Sequence, residues 1–208
     1  MRQKALWAVA IGAVLLVSGI LLAGNMGFKL IHTFPGGGLD GTFTISLPFF
    51  HKDGLDNASD LLDDVPNAAG VSFHNRFNNL GVRYTGVAGT APDFALLTGV
   101  GYVVTVTAAS QYTVTGSHNP EAECDFFAGG LDGTNFFACP YHAVPETAEN
   151  LLNDIPNSVG VGFFNKNNNL GVRYTGVAGT APDFDLTTGQ SFYVTVTADS
   201  LSYIPPHY

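Results

Sequence analysis

Positive charge is scarce in this chain. Of 208 residues only eight are Lys or Arg, against seventeen Asp and Glu, and two of the eight, Arg2 and Lys4, stand at the extreme N-terminus. The rest is distinctly acidic, which argues against nucleic acid as a partner, because duplex binding relies on clustered Lys and Arg that neutralise phosphates. Six histidines, His32, His51, His74, His118, His142 and His207, are scattered without metal-site spacing. A Ser-His-Asp arrangement, a P-loop and a dinucleotide fingerprint are all missing, and the glycine run Gly36-Gly37-Gly38 lacks the following helix and lysine that phosphate binding needs. No catalytic set emerges, and the sequence reads as that of a non-enzyme.

What the chain does have is a long apolar N-terminus. Ala5 to Gly24 carries no charge, and the next charged residue is Lys29. The length suffices for a membrane-spanning helix, while the basic start and the small residues Ala23 and Gly24 equally suit a secretory signal of residues 1–24. Either way Arg2 and Lys4 mark the cytoplasmic side. Everything from about residue 25 is expected outside the cytoplasm, secreted or held at the cell surface or in the periplasm, with the membrane a partner if the helix stays uncleaved.

The exported part repeats itself. Asn78–Phe94 and Asn168–Phe184 are identical at every position, a stretch beginning at His32 aligns with one beginning at Cys124, and Gly101–Thr107 aligns with Ser191–Thr197. Each unit runs to about 90 residues, the size of a small domain and not of a solenoid repeat. Two modules follow, residues 25–116 and 117–208, with the boundary in the turn-forming run Gly116-Ser117-His118-Asn119-Pro120.

Within a unit, β-branched and aromatic runs alternate with Gly, Pro, Asn and Asp clusters, the signature of strands. Phe28–Phe34 and Thr42–Phe49 read as a hairpin around a wide glycine loop, Val71–Phe77 and Val82–Val87 as a second hairpin, and Tyr102–Thr107 and Tyr112–Thr115 as closing strands. One short helix interrupts them, over 57–64 and again over 147–154; each starts at a capping residue and ends before Pro66 or Pro156. The expected fold is all-β, mainly antiparallel modules of sandwich or barrel type with one short helix each, behind the N-terminal hydrophobic helix.

The motifs Thr44-Ile45-Ser46-Leu47-Pro48, Leu61-Leu62, Val65-Pro66-Asn67, Phe94-x-Leu96 and Gly99-Val100-Gly101-Tyr102-x-Val104-x-Val106 resemble a β module common in secreted bacterial and archaeal proteins. That module has an Ile-Ser-Leu-Pro strand and a Gly-Tyr-Trp-Val strand. Both of its characteristic tryptophans are absent here, its Pro-Gly turn is Thr98-Gly99 and Thr188-Gly189, and the second copy reads Phe136-Phe137-Ala138-Cys139-Pro140 in place of Ile-Ser-Leu-Pro. The resemblance implies accessory or structural work in surface proteins and carries over no catalytic residues.

Three groups of side chains are candidate sites. Cys124 and Cys139, the only cysteines, lie symmetrically about the Gly129–Gly133 loop; an exported location favours a disulfide worth roughly 3 kcal/mol over a nucleophilic thiol lacking a histidine partner. Asp53, Asp56 and Asp60 are oxygen ligands with which calcium could be held, although the spacing is not that of an EF-hand and helix capping accounts for acids at these places. Phe73, Tyr84 and Tyr102, with Phe163, Tyr174 and Tyr193 in the second copy, could stack on glycans or on another subunit, and filling a small β core is their competing use. Asp93 and Asp183 read as turn formers.

The functional expectation is a non-enzymatic cell-surface or envelope protein whose tandem modules form a structural, filament-forming or adhesive unit, with other surface subunits or itself as partner. The alternative keeps the fold and makes it a carbohydrate- or calcium-binding module.

Overall fold

The computed structural model describes residues 27–35, 42–47, 50–51, 54–75, 80–97, 99–117, 123–129, 133–139, 145–165 and 170–206. The apolar N-terminal segment lies outside them, and among the described residues no helix is long and apolar enough to cross a membrane.

The first repeat contains β1 (Phe28–Phe34), β2 (Thr42–Ser46), β3 (Phe50–His51), the helix α1 (Ala58–Asp64), β4 (Ala68–Asn75), β5 (Leu80–Tyr84), β6 (Gly101–Val106) and β7 (Ser110–Ser117). The second contains β8 (Cys124–Phe126), β9 (Thr134–Ala138), the helix α2 (Ala148–Asp154), β10 (Ser158–Asn165), β11 (Leu170–Tyr174), β12 (Ser191–Val196) and β13 (Ser200–Tyr203). The protein is thus mainly β, and the strand ladders are antiparallel. Each repeat has a four-stranded sheet, β2-β6-β4-β5 or β9-β12-β10-β11, and a smaller one, β1-β7-β3 or β8-β13.

The first two strands of each repeat do not form the expected hairpin. β1 pairs with β7, while β2 pairs with β6. The alternation in the two strands explains why: each has one apolar face, and Phe34 and Phe43 meet across the core with ring centroids 5.4 Å apart. Strands whose apolar faces oppose one another belong to two layers, whereas hairpin partners would turn those faces the same way. The second expected hairpin does form, as β4 with β5 and β10 with β11.

Each helix is fixed at both ends. Asp60 accepts the backbone N–H groups of Asp56 (3.0 Å) and Asn57 (2.8 Å), and Thr147 Oγ1 accepts that of Asn150 (3.3 Å), which satisfies groups a helix start leaves open. After each helix Asn67 and Asn157 take positive φ, 62° and 63°, a conformation asparagine tolerates better than most residues. Their carbonyls accept the N–H of Thr107 and Thr197, tying the helix exit to the end of β6 or β12, the neighbour of β4 or β10 in the same sheet. Leu61 and Leu151 are fully buried and seat the helices on β4 and β10.

Two separate cores result. One gathers Phe34, Phe43, Ile45, Leu61, Tyr102 and Val104 with their neighbours, the other Phe126, Phe137, Leu151, Val161, Val194 and Tyr203. At aligned places the second core has Asn135 for Phe43 and Phe137 for Ile45. The large ring has moved two residues along the same face of the strand. Asn135, fully buried, uses the remaining space for hydrogen bonds: it accepts from Phe127 N (3.0 Å) and donates to Gly133 O (2.9 Å) and Phe127 O (3.2 Å).

Candidate functional site

Much of the described part of the segment repeated without change is surface. In the first copy it supplies β5, the outer strand of its sheet among the described residues, and the loop that follows. Residues 86–90 and 176–180 are exposed throughout, and at the apex Val87 and Val177 are 66 % and 67 % accessible. Part of the identity has a local cause. Gly86 and Gly89 have φ of 72° and 90°, as do their counterparts Gly176 and Gly179 at 71° and 93°, and glycine meets that need at no steric cost. Thr90 and Thr180 donate to the Val87 and Val177 carbonyls at 2.8 Å. The loop then folds back over the edge, where Ala91 N–H reaches Arg83 O and Ala181 N–H reaches Arg173 O, both at 3.2 Å, leaving less of the strand open to a partner than the bare sheet order suggests.

Asp93 and Asp183, read from sequence as turn formers, instead cap the helices from outside. Asp93 accepts the N–H of Ser59 (2.9 Å) and its hydroxyl (2.5 Å), and Asp183 accepts the N–H of Glu149 (2.8 Å). Carboxylates at a helix start also meet the positive end of its dipole. Nothing in the backbone or core requires the paired exposed valines.

The two repeats meet along a seam with approximate twofold character. Ser46 N–H donates to Gly189 O, and the aligned Ala138 N–H donates to Gly99 O, both at 3.0 Å. Val100 and Phe137 add an isolated bridge. On one flank the rings of His74 and Phe136 lie 5.6 Å apart and fill the seam. On the other flank the aligned residues are Phe164 and Thr44, and a cleft of about 340 Å³ opens, lined by His32, Thr33, Thr44, Phe163, Phe164 and Gln190 among others. Its walls combine aromatic and aliphatic side chains, hydroxyl and amide groups, and the His32 imidazole.

The six aromatic candidates divide. Tyr102 is buried (1 % accessible) and its hydroxyl engages both backbone groups of Leu97, so it is a core residue and not a stacking surface. Phe73 packs edge-on against Phe94 at 4.7 Å and Phe163 against Phe184 at 4.8 Å; of the six, Phe163 lines the cleft. Tyr84 and Tyr174 are half-buried against their cores. Tyr193 crosses Gly162 and donates to Val172 O at 2.9 Å, which closes the space the glycine leaves; burial raises its pKa above the ordinary tyrosine value.

The acidic trio is only partly described. Asp60 is engaged in capping, Asp53 lies outside the described residues, and among those residues no group of three or more His, Cys, Asp and Glu could hold a metal ion.

Cys124 and Cys139 are not joined by a disulfide. β8 pairs with β13 and β9 with β12, so the two cysteines stand in the two sheets of the repeat and not on one hairpin. Burial pushes the Cys139 thiol up to about 12. Between the layers stands Tyr203, whose hydroxyl donates to Asp154; burial foremost, and then that hydrogen bond, raise its pKa. Tyr112 is raised in the same direction by burial and then by Asp64. A tyrosine–aspartate hydrogen bond thus links the last strand to the helix end in the second repeat, whereas in the first Tyr112 lies near Asp64 and its buried hydroxyl makes no hydrogen bond among the described residues; Ser202, with φ 55°, makes a bulge that sets Tyr203 one residue out of alignment with Tyr112.

Comparison of the chain with family models, curated proteins and solved structures finds no match.

Proposed function

We propose that this is a non-enzymatic cell-surface or envelope protein, exported or anchored through residues 1–24, whose tandem modules 25–116 and 117–208 form a structural, filament-forming or adhesive unit. Two sheets around one core in each repeat support a sandwich for the module, in keeping with the secreted β module it resembles. The observation that carries the reading is the paired surface: core positions such as Phe43/Asn135 and Ile45/Phe137 differ between the copies, yet an exposed edge and loop with Val87 or Val177 at the apex are the same in both. Exposed loops held constant while cores drift are a mark of contact with something outside. Two equal contacts on one chain make it divalent, which is what a linear assembly needs.

The test is sedimentation and electron microscopy of the purified chain beside a Val87→Asp/Val177→Asp variant. Ordered polymers or binding to isolated envelope that the double variant loses would support the proposal; a chain that stays monomeric and binds no envelope would overturn it.

The seam cleft favours a second reading, a carbohydrate-binding module. Aromatic faces beside neutral hydroxyl and amide groups suit a saccharide, whose rings present both apolar faces and hydroxyls. Retention on a glycan array, abolished by Phe163→Ala, would favour this reading over assembly.

A further inference from the structure

The seam contains a contact at which two aligned residues face each other. Gly101 opens β6 and Ser191 opens the aligned β12. A Cβ on Gly101 would lie 1.7 Å from Ser191 Oγ and 2.7 Å from Ser191 Cβ. Those separations are far inside contact distance, and both sites are buried, so neither group can retreat into solvent. The exclusion comes from the neighbour and not from the backbone: Gly101 is absent from the positive-φ glycines and sits in a regular strand, where serine is allowed. Ser46 and Ala138, which donate the reciprocal hydrogen bonds, pair with Gly101 and Ser191 in the adjoining ladders. The site therefore lies where the approximate twofold axis passes.

From this juxtaposition we propose that the seam is a docking surface that distinguishes the other repeat from its own kind, with one side chain allowed at the axis and Ser191 supplying it. An isologous contact places each residue at the axis against its own equivalent. Two second-repeat faces would bring serine against serine and collide. Two first-repeat faces would set glycine against glycine and leave the space that Ser191 fills. The flanks bear on the first-repeat case, since two first-repeat faces would set His74 against Thr44 on both sides and lack the ring that Phe136 supplies. The kind of partner this face fits is thus a first repeat for a second repeat. Within a chain the seam is consumed internally, and any exchange of repeats between chains through it joins unlike repeats. Assembly through the outer valine loops is independent of it.

The experiment compares the full chain with Gly101→Ser, Ser191→Gly and the exchange Gly101→Ser/Ser191→Gly. Amide hydrogen exchange is read at Ser46 and Ala138, whose N–H groups cross the seam. Gly101→Ser should lower protection at both amides by about tenfold or more, the scale of one lost buried hydrogen bond, and the exchange should restore it to within about threefold, a residue of imperfect repacking. Ser191→Gly alone should lower it less than Gly101→Ser. Unchanged protection in Gly101→Ser would overturn the proposal. Loss in both Gly101→Ser and the exchange would also overturn it, because serine would then be harming its own strand. Should Gly101→Ser fail to fold, the exchange variant decides: a folded chain with native protection supports the docking rule, and an unfolded one refutes it.

Discussion

The two repeats share a topology and part of a core, but they share a surface loop more closely than either shares its interior. Phe43 and Ile45 in one became Asn135 and Phe137 in the other, while the 80–94 and 170–184 surfaces stayed the same. Small β cores tolerate such exchanges when volume and polar satisfaction are kept together. An exposed apex has no such constraint from within, so its constancy points outward. The comparison also separates what holds each repeat together from what each presents.

The largest effect should come from the largest helix residue that both cores keep unaltered. Leu61→Ala and Leu151→Ala remove fully buried side chains, and each should cost about 2–5 kcal/mol in denaturant unfolding. Costs that differ by more than the range of that estimate would show that the helices are not equivalent supports.

Exchange of the core residues sharpens the contrast. Asn135→Ala leaves the backbone of Phe127 without its buried partners and should cost about 1–3 kcal/mol. Asn135→Phe alone overfills the second core, whereas Asn135→Phe with Phe137→Ile rebuilds the first core's arrangement and should recover most of the loss. Failure of the double variant to improve on the single one would mean that the two cores are not interchangeable.

A third difference is read through pH. Cys139 has no cysteine counterpart in the first repeat, where Leu47 stands. Its thiol ionises at about 12 in the folded chain against 9.0 for the reference thiol. Above pH 9 the unfolded chain therefore binds fewer protons than the folded one, and stability falls as pH rises from 9 to about 12. Equilibrium unfolding at stepped pH should give a shallower fall for Cys139→Ala. An unchanged slope would show that the thiol takes no part in it.

The smallest expected effect is at the loop apex. Val87→Ser and Val177→Ser alter largely exposed residues outside both cores and should shift stability by no more than about 0.5 kcal/mol. A larger loss in thermal melts would mean that the valines support the fold, and the outward reading of the loop would lose its basis.

Much of the architecture was legible in the chain itself. Alternating β-branched residues placed the strands, the capping and proline signals placed both helices, and self-comparison placed the repeats. These are local properties, set by side-chain period and backbone preference. Strand partnership was not legible for β1 and β2, because an apolar face on each is compatible with one sheet or with two opposed sheets, and only the packed core chooses. Asp93 and Asp183 looked like turn formers because their helix partners are distant in sequence. For the converse reason, nearness in sequence hid the placement of the two cysteines in separate sheets. The seam itself left no trace in composition or period: Gly101 and Ser191 were merely aligned residues until tertiary structure set one against the other, where the volume of a single side chain decides which surfaces can meet.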